Sequence, residues 1–109
     1  MKLEFDRMEE TILPRFNGGE KEFAARMVTD ERNRILKGRL VPGASIGLHT
    51  HETSSEIVYV LSGTGIMLCD GGAEELGPGD GHYCPKGHCH SFVNTGTEDL
   101  VFFAVVPQQ

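Results

Sequence analysis

The sequence predicts an all-β fold, a sandwich or barrel formed as a single domain. Three observations carry that expectation. Short apolar runs recur along the chain, each bounded by glycine, proline or asparagine turn signals. The 14 glycines are aperiodic and fall between those runs, which excludes a collagen-like or disordered composition. A length of 109 residues suits one domain with a core that needs no staples.

Residues 1–33 are expected to form N-terminal strands or an arm, and residues 34–106 the barrel itself. The first 14 residues mix charge with Leu3, Phe5, Met8, Ile12 and Leu13, and their periodicity fits a short helix or a strand. Pro14 ends that element. Asn17-Gly18-Gly19 is a turn signal, and Glu22–Thr29 reads as a strand or short amphipathic piece, weakened as a strand by Ala24-Ala25. Arg34–Val41 is a strand stopped by the turn pair Pro42-Gly43. Ser45–His51 is extended, and Glu56–Leu61 is the strongest strand of the chain. Ile66–Cys69 and Ala73–Leu76 flank Asp70-Gly71-Gly72, a hairpin turn in composition and length. Gly81–Cys84 and His88–Val93 are strands separated by Pro85-Lys86-Gly87, and Leu100–Val106 is the last strand.

The chemistry concentrates in four side chains. Successive side chains of a strand alternate faces, so His49 and His51 point the same way. Thr53-Ser54-Ser55 is turn-prone and returns the chain beside itself, where Glu56 opens the next strand. His90 arrives from a separate strand. Three imidazoles and a carboxylate at one point make a site for a divalent transition metal; neutral imidazoles suit Mn, Fe, Ni, Cu and Zn, and the carboxylate shifts preference towards harder ions.

Gly43, His49, His51, Glu56 and Gly63 fit the pattern Gly-x5-His-x-His-x4-Glu-x6-Gly. Gly79, Pro85, Gly87, His90 and Asn94 fit Gly-x5-Pro-x-Gly-x2-His-x3-Asn. In these two motifs the chain resembles the cupin superfamily, with no departure at any motif position. The resemblance implies a small jelly-roll-like β-barrel holding one metal ion, Mn, Fe, Ni or Zn, on His49, His51, Glu56 and His90. It also implies an open octahedral sphere with two positions for water, substrate or oxygen, in place of a closed tetrahedral zinc site. It does not imply a reaction.

Other residues take blander roles. His88 shares strand parity with His90 and so can face the same cavity, but rim or hydrogen-bonded histidines are the expectation for both His82 and His88, with a proton-carrying role as the sharper alternative. Cys84, Cys89, His82 and His88 are candidates for a second, soft metal site, but Cys89 is opposite in parity to His88, so one extended strand cannot aim both at one ion, which argues against it. Cys69 reads as a small buried apolar residue, and the odd count of three cysteines implies free thiols. In Arg34–Val41, Leu36 and Leu40 are the inward set, so Arg39 turns outward and Arg34, Lys37 and Arg39 read as a solvated strand edge. Glu52 and Tyr59 oppose the metal-facing parity.

A formal charge of −6 and pI near 5.3 argue against nucleic acid as a partner. No apolar run is long enough for a bilayer, and the charged N-terminus does not read as a secretory signal, so a cytoplasmic location is expected. A small-molecule ligand or substrate at the metal is the expected partner. Oxygenase or decarboxylase chemistry on a small carboxylate or dicarbonyl leads, with a non-catalytic small-molecule-binding module as the alternative; regulators of this kind carry a helical DNA-binding domain for which 109 residues leave no room. Ile57, Tyr59 and Leu61 face away from the metal side, and Leu100–Val106 is apolar on both faces. These outer faces call for a cover, from the N-terminal strands or from the second subunit of a homodimer.

Overall fold

Two antiparallel sheets face one another across one apolar core in the computed structural model, which describes Met1–Gln109. The ten strands are β1 (Thr11–Pro14), β2 (Glu22–Thr29), β3 (Asn33–Leu40), β4 (Ser45–Thr50), β5 (Glu56–Ser62), β6 (Gly65–Cys69), β7 (Gly72–Leu76), β8 (Gly81–Cys84), β9 (Cys89–Val93) and β10 (Leu100–Pro107). The larger sheet runs β1-β2-β3-β10-β5-β8 and the smaller β4-β9-β6-β7. This is the all-β, jelly-roll-like arrangement that the sequence resemblance implies. The ambiguous N-terminal stretch resolves into a single 3-10 turn, Phe5–Arg7, followed by β1, and Glu22–Thr29 is a full strand. Ala24 and Ala25 weaken β propensity but fit here because both are buried, and Ala25 lies opposite Gly38 where Phe23 and Phe102 leave no room for a larger side chain.

The core follows from strand parity. Leu36 and Leu40 of β3, Val58 and Val60 of β5, and Leu100, Phe102 and Ala104 of β10 all point inward and are buried. Phe102 is the hinge of this packing. Its ring stacks on Phe23 of the same sheet at 5.9 Å and meets Phe92 of the opposite sheet edge-on at 5.1 Å. The β6–β7 hairpin turns through Asp70 and Gly71, both at positive φ, the type I′ geometry that matches the twist of paired strands. Gly63 also has positive φ, and a Cβ there would collide with the Asp99 carbonyl, so this motif glycine is required by backbone contact. Asn94, fully buried, donates from Nδ2 to the Leu40 and Glu98 carbonyls at 2.8 and 2.9 Å. Gly63 and Asn94, two motif residues outside the donor set, therefore serve the fold.

One expectation needs correction. The basic residues of β3 are not a solvated edge, because β3 is paired on both sides, to β2 and to β10. Lys37 and Arg39 lie on the outer face and hold the N-terminal arm: Lys37 Nζ donates to Asp6 at 3.1 Å, and Arg39 donates to Glu10 at 2.7 Å and to Asp99 at 3.4 Å. The Glu10 carboxyl is drawn below its usual range by the Arg39 hydrogen bond. With Phe5 edge-on against Phe103, the arm covers the β2-β3-β10 flank. The β5-β8 flank keeps Ile57, Tyr59, Leu61 and Tyr83 exposed.

The three cysteines are free, and Cys84 is buried, its thiol pushed by burial up to about 12. Cys69 is half-buried, not buried, because it sits at the open end of β6 beside the hairpin. No helix is long and apolar enough to cross a membrane.

Phe102→Ala removes the ring that joins the two sheets, and a loss of about 3–5 kcal/mol is expected for such a deletion. Urea unfolding of the metal-free protein checks this; a loss under ~1 kcal/mol contradicts the role given to Phe102.

Candidate metal centre

The site begins with an irregularity in β4. Ile46 pairs with Phe92 and His49 with His90, so β4 spends one more residue than β9 between those two pairs. That extra residue is a β-bulge at Gly47-Leu48. Ile46 belongs to the core, and regular alternation would turn His49 outward. The bulge inverts the parity: Leu48 is expelled to 67% exposure and His49 faces in. Gly47 permits the bulge, because the Asn17 carbonyl and Gly19 press against it where a Cβ would stand. The sequence expectation of a regular strand missed this, and Gly47 was the available signal.

His51 follows the end of β4 and is pinned by backbone: its N–H donates to the His88 carbonyl at 3.0 Å, and the Gly87 N–H donates to its carbonyl at 2.7 Å. The second motif thus holds a ligand of the first. Glu56 opens β5 with the inward parity of Val58, and His90 is the inward residue of β9. The four predicted side chains converge.

The three Nε2 atoms form a near-equilateral triangle with sides of 3.2 Å (His49–His51), 3.0 Å (His51–His90) and 3.1 Å (His90–His49). Glu56 Oε1 lies 3.1 Å from His51 Nε2 and 2.8 Å from His90 Nε2. It makes no hydrogen bond or ion pair to His49, although all four donor atoms lie within 4.8 Å of one another. These separations discriminate between geometries. Ligands at 90° around an ion roughly 2.2 Å away stand about 3.1 Å apart, whereas tetrahedral ligands at zinc's ~2.0–2.1 Å stand about 3.3–3.4 Å apart. The observed spacing is the one that an octahedral ion held on His49, His51, Glu56 and His90 would need, with His49 and Glu56 the pair left unbonded to each other. Two adjacent positions of six then remain for other ligands.

The far side of each ring is also engaged. An imidazole that offers its Nε2 lone pair carries its proton on Nδ1. His49 Nδ1 donates to the Gly47 carbonyl at 2.7 Å, and His51 Nδ1 lies 2.9 Å from the Ser54 hydroxyl. His90 Nδ1 lies 3.1 Å from Nε2 of His82. Burial pushes His49 below the usual imidazole range, against the opposing pull of the Gly47 carbonyl. Burial alone would raise the Glu56 carboxyl, but when no ion takes the Nε2 atoms, Nε2–H hydrogen bonds from His51 and His90 outweigh it and pull it down to about 2. Near neutral pH Glu56 is therefore an anion, and the donor set could hold a divalent ion.

A cavity of about 150 Å³ adjoins His49, His51 and Glu56, walled by Phe16, Phe23, Leu36, Ile46 and Phe102. Its other polar residues are Asn17 and Arg34. Sequence patterns gave no sign of Phe16 and Asn17, which belong to a 3-10 turn docked on β4. Arg34 is a second correction. It shares the parity of Leu36, at the end of β3 where the core opens, so it lines the cavity while remaining exposed to solvent. The other candidates separate. His88 is exposed and donates from Nδ1 to Asp70 at 2.6 Å, because it precedes β9 and escapes that strand's parity with His90. His82 is buried, with its Nδ1 2.7 Å from Glu74. Cys84 and Cys89 join neither histidine in a cluster of donors. Tyr59 is exposed, as its parity in β5 requires, and Glu52 is exposed in the bend after β4.

Residues 37–106 match the cupin domain family. The chain is a cupin. Across the whole of both chains it superposes on the crystal structure of a "predicted oxalate decarboxylase" from Thermotoga maritima, with TM-score 0.94 and 30% identity. It covers 78% of a polyketide cyclase from Streptomyces resistomycificus, with 98% of its own length aligned, at TM-score 0.82 and 27% identity. Among curated proteins it is 43% identical over 68 residues to an oxalate-binding protein of Thermotoga maritima, a match spanning 62% of this chain and 56% of that one. The match covers only about half the length of that relative. A glucose-6-phosphate isomerase of Thermococcus kodakarensis is 39% identical over 64 residues, 54% of this cupin and 34% of the isomerase.

The lowered pKa values of His49 and Glu56 imply a pH dependence for the metal-free cupin. His49, with a folded pKa below its unfolded value, takes up a proton more readily unfolded, so stability falls as pH drops through about 6.5. Glu56, depressed to about 2, contributes stability that is full above the unfolded carboxylate value and is lost as pH falls from there towards 2. Both act in one direction. Melting temperature measured without metal should decline from pH 7 to 5 and again below pH 4.5, and Glu56→Gln should reduce the second decline, leaving the part carried by Glu10, Asp30 and Asp70.

Proposed function

We propose that this cupin holds one divalent transition metal ion on His49, His51, Glu56 and His90, and acts through it on a small carboxylate or dicarbonyl compound, in oxygenase or decarboxylase chemistry. The observation that carries this is the facial disposition of the donor atoms, whose mutual spacing leaves two adjacent coordination positions. A ligand with two oxygens in chelating distance suits such a pair. The cavity of about 150 Å³ is smaller than the ~300–1,000 Å³ of drug-sized sites, which restricts the ligand to a few heavy atoms. Relatives named for oxalate binding and oxalate decarboxylation support the same class.

An ion bound there would act as a Lewis acid that polarises a carboxylate or carbonyl. The chain supplies the rest. Glu56 offsets part of the ion's charge. Phe16, Phe23 and Phe102 exclude water from one side of the ligand. Arg34, the cavity's cation, is free to meet a ligand carboxylate because Lys37 and Arg39 carry the ion pairs of β3. A non-catalytic binding module is the second reading. It is favoured by the lining itself, where no carboxylate or imidazole stands beside the donor set to move a proton.

Protein purified without a metal-affinity tag should carry one equivalent of Mn, Fe, Ni or Zn by elemental analysis. His51→Ala and His90→Ala should lose it, and Glu56→Gln should hold it more weakly, since an amide oxygen brings no charge. A ligand at a hundredfold excess over its Kd stabilises the fold by about 2.7 kcal/mol, so chelation should lower the melting temperature without unfolding the domain. Retention of a full equivalent by His90→Ala contradicts the assignment. Oxalate should bind the metal-loaded protein by calorimetry, about tenfold more weakly in Arg34→Met, the scale of one charge-assisted hydrogen bond. Release of carbon dioxide on turnover favours the enzyme, and tight binding without turnover favours the module.

A homodimer is proposed to cover the β5-β8 flank, where Ile57, Tyr59, Leu61 and Tyr83 form an exposed apolar row that the N-terminal arm leaves open. Light scattering at micromolar concentration should give the mass of two chains, and Tyr59→Glu should give one. A single-chain mass for the wild type refutes it.

A further inference from the structure

The rear face of His90 leads through two residues to the surface. His82 lies on β8, the edge strand of the large sheet, and Glu74 on β7, the edge strand of the small one. The His82 side chain is 1% exposed and that of Glu74 52%. His82 Nδ1 stands 2.7 Å from Glu74 Oε1, and its Nε2 stands 3.1 Å from Nδ1 of His90, with the two rings stacked at 5.3 Å. No metal-ligand motif includes either residue.

With an ion on the His90 Nε2 lone pair the order of donors and acceptors in this chain is forced; without one, Glu56 Oε1 at 2.8 Å competes for a proton on that Nε2. A carboxylate only accepts, so the proton on His82 sits at Nδ1 and donates to Glu74. Neutral His82 then presents Nε2 as an acceptor. The Nδ1–H of His90 fills it, and the His90 lone pair is left on Nε2, facing His49, His51 and Glu56. Gly47 fixes His49 in the same way, since a carbonyl can only accept. The Ser54 hydroxyl either donates or accepts, so it leaves His51 free to adjust.

We propose that Glu74 and His82 are positioning residues for the metal centre. Through two hydrogen bonds they hold His90 in the tautomer and ring orientation that ligate, and they strengthen Nε2 as a donor. Hydrogen-bonded partners behind a ligating histidine are worth about 10–100-fold in metal affinity. The relay also explains why a histidine is buried at a seam between two sheets, where an apolar residue would cost less to bury.

The inference rests on the metal site proposed above, and Co(II) separates the two. Competition with a chromogenic chelator gives the affinity, and the hyperfine-shifted proton NMR spectrum in water shows the Nδ1–H of each ligating histidine. Glu74 is half exposed, so Glu74→Ala should fold. It should weaken Co(II) about tenfold or more and lose the His90 N–H signal to exchange. Glu74→Gln, whose amide oxygen still accepts, should restore the signal and most of the affinity. His82→Gln should behave as Glu74→Ala or worse. A bond that merely pinned the seam would lower the metal-free melting temperature while leaving affinity and the three N–H signals unchanged; that result in Glu74→Ala and His82→Gln overturns the relay. A wild type with no Co(II) affinity overturns the metal site on which the relay rests.

Discussion

Three imidazoles about 3 Å apart, with a carboxylate about as close to two of them, held between two apolar sheet faces are the constraint around which this structure is arranged. Polar groups withdrawn from water are costly unless each finds a partner. Here every ring nitrogen has one. The Nε2 atoms converge on Glu56 and on one another, and the Nδ1 atoms reach Gly47, Ser54 and His82. Glu56 remains ionised because two histidines outweigh the cost of its burial. A site with its donors already aligned needs little rearrangement to take up an ion, and the surrounding hydrogen bonds supply that alignment.

The backbone features near the site serve the same end. The bulge at Gly47 turns His49 inward, and a glycine there admits the 3-10 turn that brings Phe16 and Asn17 to the cavity. Gly87, at positive φ, lets the loop before β9 reach back and hold His51 through its backbone. Phe102 ties the sheets together beneath the cavity. Core packing and site geometry therefore share residues: Phe23, Ile46 and Phe102 are at once barrel core and cavity wall.

Much of this was legible in the sequence. Glycine turns and apolar runs located nearly every strand, since turn chemistry and period-two alternation are local properties. The spacing of His49, His51, Glu56 and His90 marked the donor set. What escaped was non-local. The bulge cannot be seen without the partner strand, and uniform alternation reached the right answer for His49 and His51 only because it ignored Ile46. His88 is the hydrogen-bonded histidine expected, but it lies just outside β9, so strand parity does not bring it to the cavity and it turns to Asp70. The roles of Arg34, Phe16 and His82 depend on which strands end near the cavity, and that is a matter of topology. His82 and Glu74 are adjacent only because two sheet edges meet.

The central claim is a facial, six-coordinate donor set with two adjacent positions for a chelating ligand. X-ray absorption at the metal edge of the loaded protein tests it most directly. The account predicts six nitrogen and oxygen ligands, multiple scattering from three imidazoles, and an unchanged coordination number when oxalate is added and replaces solvent. A four-coordinate shell, or a shell with fewer than three imidazoles, would contradict it.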